Sequence, residues 1–148
     1  MSQIELYGNV YNALMAFPSS VEVGCLLVGM IESQRVFVRH LSQKTEGSYG
    51  CVDIGSTADT LILLDKIGLD DRIVGWAHTH LWNNGHLYMS KTDFDTQQKL
   101  QKSQPDAVAL IISQNGMRAY KIMDDKLERV MFGISPDSSE KVFLQELL

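Results

Sequence analysis

The chain has little cysteine. Its 148 residues include two, Cys25 and Cys51, and they fit no Cys-x-x-Cys pattern, which excludes a thiolate zinc ribbon and a dithiol redox motif. Two buried free thiols in a reducing, cytoplasmic compartment are expected. Basic charge is also short: Lys and Arg total 13 against 18 Asp and Glu, a net charge of −5. That balance argues against nucleic acid and against an anionic membrane surface as partners, since both demand a basic face. No apolar run approaches the length of a membrane span. The N-terminus, Met1-Ser-Gln-Ile-Glu-Leu6, has no basic region ahead of an apolar core, so no signal peptide is expected. Repeats, low-complexity tracts and linkers are missing too. What is present is an ordinary hydrophobic fraction of 45% in a length that suits one domain, residues 1–148.

Periodicity divides the chain into interleaved strands and helices. Ile4–Leu6 reads as a short strand. Asn9 is placed to cap a helix through Val10, Ala13, Leu14 and Phe17, which Pro18 ends. Residues 22–31 are apolar on both faces after Glu22, as in a strand central to a sheet. Arg35–Leu41 is its hairpin partner, and residues 42–50 read as a loop. Tyr49–Ile54 reads as a further strand. Ser56 or Thr57 caps a helix through Leu61, Leu64 and Ile67, stopped by Gly68. Arg72–His80 is a strand, and Asn83-Asn84-Gly85 a turn within the following loop. Ser90 caps a helix to Ser103. Residues 105–113 and 117–123 form two strands joined by Asn115-Gly116, 127–134 an edge strand, and Ser138 or Ser139 starts a final helix bearing Val142, Phe143 and Leu147. The expected class is α/β, a central mixed sheet flanked by helices.

Chemistry concentrates between Gly75 and Asp93. On an extended chain His78 and His80 face the same way, so two imidazoles can aim at one point. Asp93, at the start of a helix, can bring a carboxylate there. Two imidazoles and one carboxylate form a hydrolytic zinc set, with a fourth tetrahedral position left for water. Each feature has a plainer counterpart. His-x-His also occurs as a surface pair, and Ser-x-x-Asp is also a capping box. Glu22 is the acid of the apolar stretch 21–31 and the candidate general base, or else an exposed acid at a strand end. Ser90, one helical turn before Asp93, is the candidate oxyanion donor, the N-cap, or both. The helix that follows carries only Phe94 and Leu100 as apolar anchors, so metal binding at Asp93 is expected to hold its first turn. His86 reads as a solvated loop residue or a spare ligand. Trp82 is a candidate substrate contact, and Trp76 is expected to pack behind the strand.

Together, Glu22, His78-x-His80 and Ser90-x-x-Asp93 resemble the JAMM (MPN+) metalloprotease motif, Glu…His-x-His-x7-Ser-x-x-Asp. The flanks agree: Glu22-Val-Gly-Cys-Leu-Leu-Val-Gly29 is similar to the family's Glu-bearing strand. Arg72-Ile-Val-Gly-Trp-Ala-His78 and Asp93-Phe-Asp-Thr-Gln-Gln98 look like the matching segments of the proteasome-lid deubiquitinases. The similarity spans roughly residues 4 to 123. Three positions depart from it. Nine residues separate His80 from Ser90 instead of seven, Leu81 stands where proline is common, and Cys25 replaces a glycine. The extra two residues are expected to be absorbed in the loop.

The resemblance implies a single MPN-type domain of cytidine-deaminase-like architecture. It also implies one zinc ion per chain held by His78, His80 and Asp93, with water in the fourth position. Glu22 would take the water's proton and Ser90 would stabilise the tetrahedral intermediate. The implied substrate is a peptide or isopeptide bond after the C-terminus of ubiquitin or a ubiquitin-like modifier, its tail read along a strand edge. The implied partners are such conjugates and a proteasome-related complex. The length resembles a stand-alone prokaryotic member. Two other outcomes are a non-catalytic MPN scaffold, which typically lacks some of these ligands, and a zinc peptidase acting on a sulfur-carrier conjugate. A zinc deaminase would need His-x-Glu and Pro-Cys-x-x-Cys, and both are absent.

Overall fold

A computed structural model of the chain describes residues 3–18, 20–47, 55–80 and 86–148. The strands are β1 (Ile4–Tyr7), β2 (Glu22–Glu32), β3 (Arg35–Leu41), β4 (Thr45–Gly47), β5 (Arg72–Thr79), β6 (Val108–Ser113), β7 (Gly116–Met123), β8 (Lys126–Val130) and β9 (Phe132–Ser135). The helices are α1 (Gly8–Met15), α2 (Gly55–Ile67) and α3 (Lys91–Ser103), followed by a 3₁₀ turn, Leu144–Leu147. The strands join in one sheet of order β8-β7-β6-β5-β2-β3-β1-β9, with β4 added to β2. β1 runs parallel to β3 and to β9, and β5 parallel to β6. The remaining pairs are antiparallel. The mixed α/β sheet expected from the sequence is therefore present.

β2 is central because its residues have no polar face to offer: Val23 to Gly29 are buried without a break. The two faces of the sheet carry different helices. Val10 and Leu14 of α1 pack on Leu6, Cys25, Leu27 and Leu110. On the opposite face Leu26, Ile73, Trp76 and Ala109 lie under α3, joined by Met89 and Leu100. Leu64 of α2 meets Val28 and Leu144. Ile73 and Trp76 share a face although three apart, because Val74 is an extra residue where the β2–β5 register shifts. At that shift β5 comes so close to β6 that a Cβ on Gly75 would lie 2.1 Å from the Val108 carbonyl oxygen.

Several expectations change. Asn9 lies inside α1 and does not cap it; Tyr7 is the N-cap residue, with no side-chain bond. The Asn9 amide instead exchanges two hydrogen bonds with the Ser139 backbone, at 2.7 and 3.1 Å. Part of the expected 42–50 loop is β4, paired with the start of β2. The α2 helix begins at Gly55, ahead of both proposed caps, and Leu61 is 51% exposed while Leu64 is buried. Gly68 stops it as expected, at φ +82. The 127–134 strand is two strands, broken at Met131, and they belong to opposite ends of the sheet order. One residue joins those ends, so the sheet must curl until its edges lie side by side. The expected final helix is only the 3₁₀ turn; the Val142 carbonyl accepts the Leu41 N–H, and Phe143 bridges in parallel to Leu41. The Tyr49–Ile54 strand, Cys51, Trp82 and the Asn83–Gly85 turn lie outside the described residues.

Candidate metal centre

The site forms where β5 parts from β2. The two strands pair as far as Gly24 and His78. Beyond that point β5 stays with β6, pairing Thr79 with Ile112 and passing the His80 N–H to the Ile112 carbonyl at 2.8 Å. The Thr79 hydroxyl bridges the parting. Its Oγ1 accepts the Val23 N–H at 2.8 Å and lies 3.4 Å from the Val21 and Val23 carbonyls. β4 holds the other side of β2, pairing Glu22 with Gly47. Glu22 is thus fixed at the mouth of the gap, on the face that carries Leu26 and the histidines.

Trp76, His78 and His80 project from that face in sequence. The Trp76 and His78 rings stack at 5.8 Å and 24°, and the His78 and His80 rings meet edge-on at 5.0 Å. Trp76, expected to pack behind the strand, lies instead on the ligand face itself, between the His78 ring and α3. Asp93 arrives from α3. The Ser90 Oγ accepts the Asp93 N–H, and the Asp93 carboxylate accepts the Ser90 N–H, both at 3.1 Å, a complete capping box. That reciprocal pair fixes the carboxylate at the site, where the helix N-terminus also favours its charge.

His80 Nε2 lies 3.2 Å from Asp93 Oδ2, and His78 Nδ1 lies 3.3 Å from Asp93 Oδ1 without hydrogen-bond alignment. His78 Nε2 is 3.8 Å from Glu22 Oε2. His78, His80 and Asp93 are all buried. Among the described residues they form the one group of three potential ligands whose donor atoms lie within 4.8 Å of one another. Burial alone would raise the Asp93 pKa, but the two imidazoles and the Ser90 N–H outweigh it and hold the carboxyl well below the usual range. Burial likewise opposes charge on His80, yet Asp93 and the His86 carbonyl move its pKa upward.

The buried side-chain atoms without a hydrogen-bond partner, among the described residues, are Glu22 Oε2, both ring nitrogens of His78 and Asp93 Oδ1. All four belong to this cluster. Leaving a buried polar atom unpaired costs about 1–3 kcal/mol, so their convergence is costly unless something polar or charged sits among them. A cation does what is needed, and two neutral imidazoles with a carboxylate suit zinc and other first-row divalent ions. The residues fit a metal ion.

The five sequence-derived site residues therefore come together, with Ser90 present as the cap. Three further contributors are absent from the sequence-derived set. Thr79 sits between the two ligands and anchors β2. His86, though its ring is exposed, accepts a bond from His80 Nδ1 through its backbone carbonyl at 2.9 Å, leaving Nε2 toward Asp93. Gln97, fully buried, accepts the Trp76 indole N–H at 2.7 Å and donates to the Ala107 carbonyl at 2.9 Å and to Gln101 at 2.8 Å. Gln101 in turn exchanges bonds with the Ile122 backbone at 2.8 and 2.9 Å. The polar helix α3 is thus anchored beyond its first turn by amide side chains, in addition to the metal expected to hold the first turn at Asp93. The spacing of Gln97 four residues after Asp93 puts both on one helix face, a signal that could have identified it.

No protein-family model matches the sequence, and no curated protein matches it. The structure is similar to the solution structure of a protein from Desulfitobacterium hafniense, with a TM-score of 0.68 over 93% of this chain and 95% of that one, at 16% identity. At that identity the likeness concerns the fold, which does not by itself carry function.

Proposed function

We propose that the chain is a zinc-dependent peptidase of the JAMM (MPN+) type that hydrolyses the peptide or isopeptide bond after the C-terminus of ubiquitin or a ubiquitin-like modifier. The observation that supports this reading best is the convergence of Glu22, His78, His80 and Asp93, from three separate elements, with four buried polar atoms bare of hydrogen bonds. The resemblance of the motif and its flanks supplies the substrate class. Conjugates of such modifiers, in a proteasome-related setting or a simpler one, are the proposed partners.

His78, His80 and Asp93 would hold the metal. When bound, it supplies a Lewis acid and makes water a nucleophile at neutral pH. Glu22 serves as the proton carrier. It receives a proton from the attacking water and delivers it to the leaving amine, which its place at the mouth of the gap allows. Ser90 accepts its capping bond through Oγ and keeps its own O–H free to donate to the oxyanion. Asp93 and the His86 carbonyl fix the His80 ring, so that little reorganisation accompanies the reaction.

Two measurements test the proposal. The zinc content of protein purified with zinc supplied should be about one ion per chain. Glu22→Gln should retain that zinc and slow cleavage of ubiquitin-like C-terminal fusions and isopeptide conjugates by about 100- to 10,000-fold. No zinc uptake, or Glu22→Gln cleaving at the native rate, overturns it.

A further inference from the structure

We infer that Tyr120, on β7, is a positioning residue for His80, acting through the chain segment 86–88. The inference rests on the reading of His80 as a metal ligand and extends the site to a strand that carries no part of the motif. Tyr120 is 7% exposed and held in register on both sides, opposite Ala109 of β6 and Arg129 of β8. Its phenol donates to the Leu87 carbonyl at 2.7 Å. The preceding carbonyl, that of His86, accepts from His80 Nδ1 at 2.9 Å. Two successive carbonyls are therefore pinned, one by a rigid strand and one by the imidazole.

A second pair of contacts ties the same segment to the same strand. The Arg118 guanidinium, two residues before Tyr120, lies 5.5 Å from the centre of the Tyr88 ring. Tyr88 stacks on His86 at 6.2 Å and 23°, and the His86 ring lies 4.5 Å from that of His80. Segment 86–88 is thus a latch between β7 and the end of β5. Its consequence is a choice of nitrogen. With Nδ1 engaged by a carbonyl, His80 carries its proton there and presents Nε2 as the ligand. A ligand's outer partner of this kind orients the ring and raises its basicity. His78 has no hydrogen-bond partner at either nitrogen, so the pair differs: before a metal arrives one ring is set by a hydrogen bond and the other only by its stacking on Trp76. The latch lies within the stretch that is two residues longer than the motif the chain resembles.

Tyr120→Phe removes the hydroxyl and keeps the ring. Zinc affinity, measured by competition with a chelator, should fall about tenfold, the lower end for an outer partner. In the zinc-free protein, the slowly exchanging His80 Nδ1–H should be visible in the imidazole nitrogen–proton spectrum and be lost in the variant. Tyr88→Leu alters an exposed residue and serves as a second probe that leaves the core intact; it should weaken zinc binding in the same direction. A merely structural role for Tyr120 would lower the thermal midpoint while affinity, measured well below it, and the His80 signal stayed at wild-type values; that result overturns the inference. If the wild-type protein takes up no zinc, the metal reading fails, and the spectrum alone decides the latch: loss of the His80 signal in Tyr120→Phe supports it, and an unchanged signal refutes it.

Discussion

Thr79 stands between two ligands, yet its own work is on the neighbouring strand. Its hydroxyl takes the Val23 N–H that the departing β5 backbone no longer reaches. Thr79→Val keeps the shape and loses the bond. The Val23 amide should then exchange with solvent faster than its neighbours in β2, and turnover should drop about 10- to 100-fold through displacement of Glu22, with zinc content unchanged. Ser90 invites a separation of roles. In Ser90→Ala the lost cap should cost about 1 kcal/mol in denaturant unfolding, whereas the lost oxyanion donor should slow turnover by about 100- to 1,000-fold. A stability loss without a rate loss would reduce Ser90 to its cap. Cys25 is expected to be inert: burial pushes its thiol up to about 12. The folded thiol therefore stays neutral while an unfolded one ionises, so its contribution to stability is intact below about pH 9 and declines as pH rises toward 12. At pH 8 an alkylating reagent should leave Cys25 unmodified in native protein and modify it in denaturant, as read by peptide mass.

At the scale of the element, α3 shows what a sequence reveals and what it conceals. Ser90, Asp93 and the helix end at Ser103 follow from local rules, because a cap and its N3 partner are neighbours in the chain. The anchoring of the helix does not, because Gln97 and Gln101 bind Trp76, Ala107 and Ile122, partners that only the folded sheet assembles. Gln97→Leu should leave the Trp76 indole N–H unpaired in the core and lower stability by about 1–3 kcal/mol in chemical denaturation; a change near zero would mean that the amide network contributes nothing net. The same distinction explains the misread elements. Asn9 looks like a cap until the Ser139 backbone competes for its amide. Residues 127–134 look like one strand because the break at Met131 has no proline or glycine to mark it. The motif residues were legible since their spacing encodes a strand face and a helix turn, while Thr79 and the His86 carbonyl act across the chain and leave no such pattern.

At the scale of the whole molecule, a metal held by His78, His80 and Asp93 would tie the end of β5 to the first turn of α3. Stripping zinc should lower the thermal midpoint. At free zinc about 100 times the dissociation constant the difference is about 2.7 kcal/mol, or roughly 5–10 °C for a chain of this size. Asp93→Ala should show no zinc-dependent shift, and an equal shift in that variant would place the metal elsewhere. The curled sheet has a further consequence, one of timing. β1 lies between β3 and β9, so the first strand made keeps one bare edge until the last strand is made. Every motif residue, from Glu22 to Asp93, leaves the ribosome before that edge is covered. The nascent chain must therefore carry an exposed template for misplaced strand pairing while its site is being assembled, and closure of β1 by β9 belongs to the slow, non-local steps of folding.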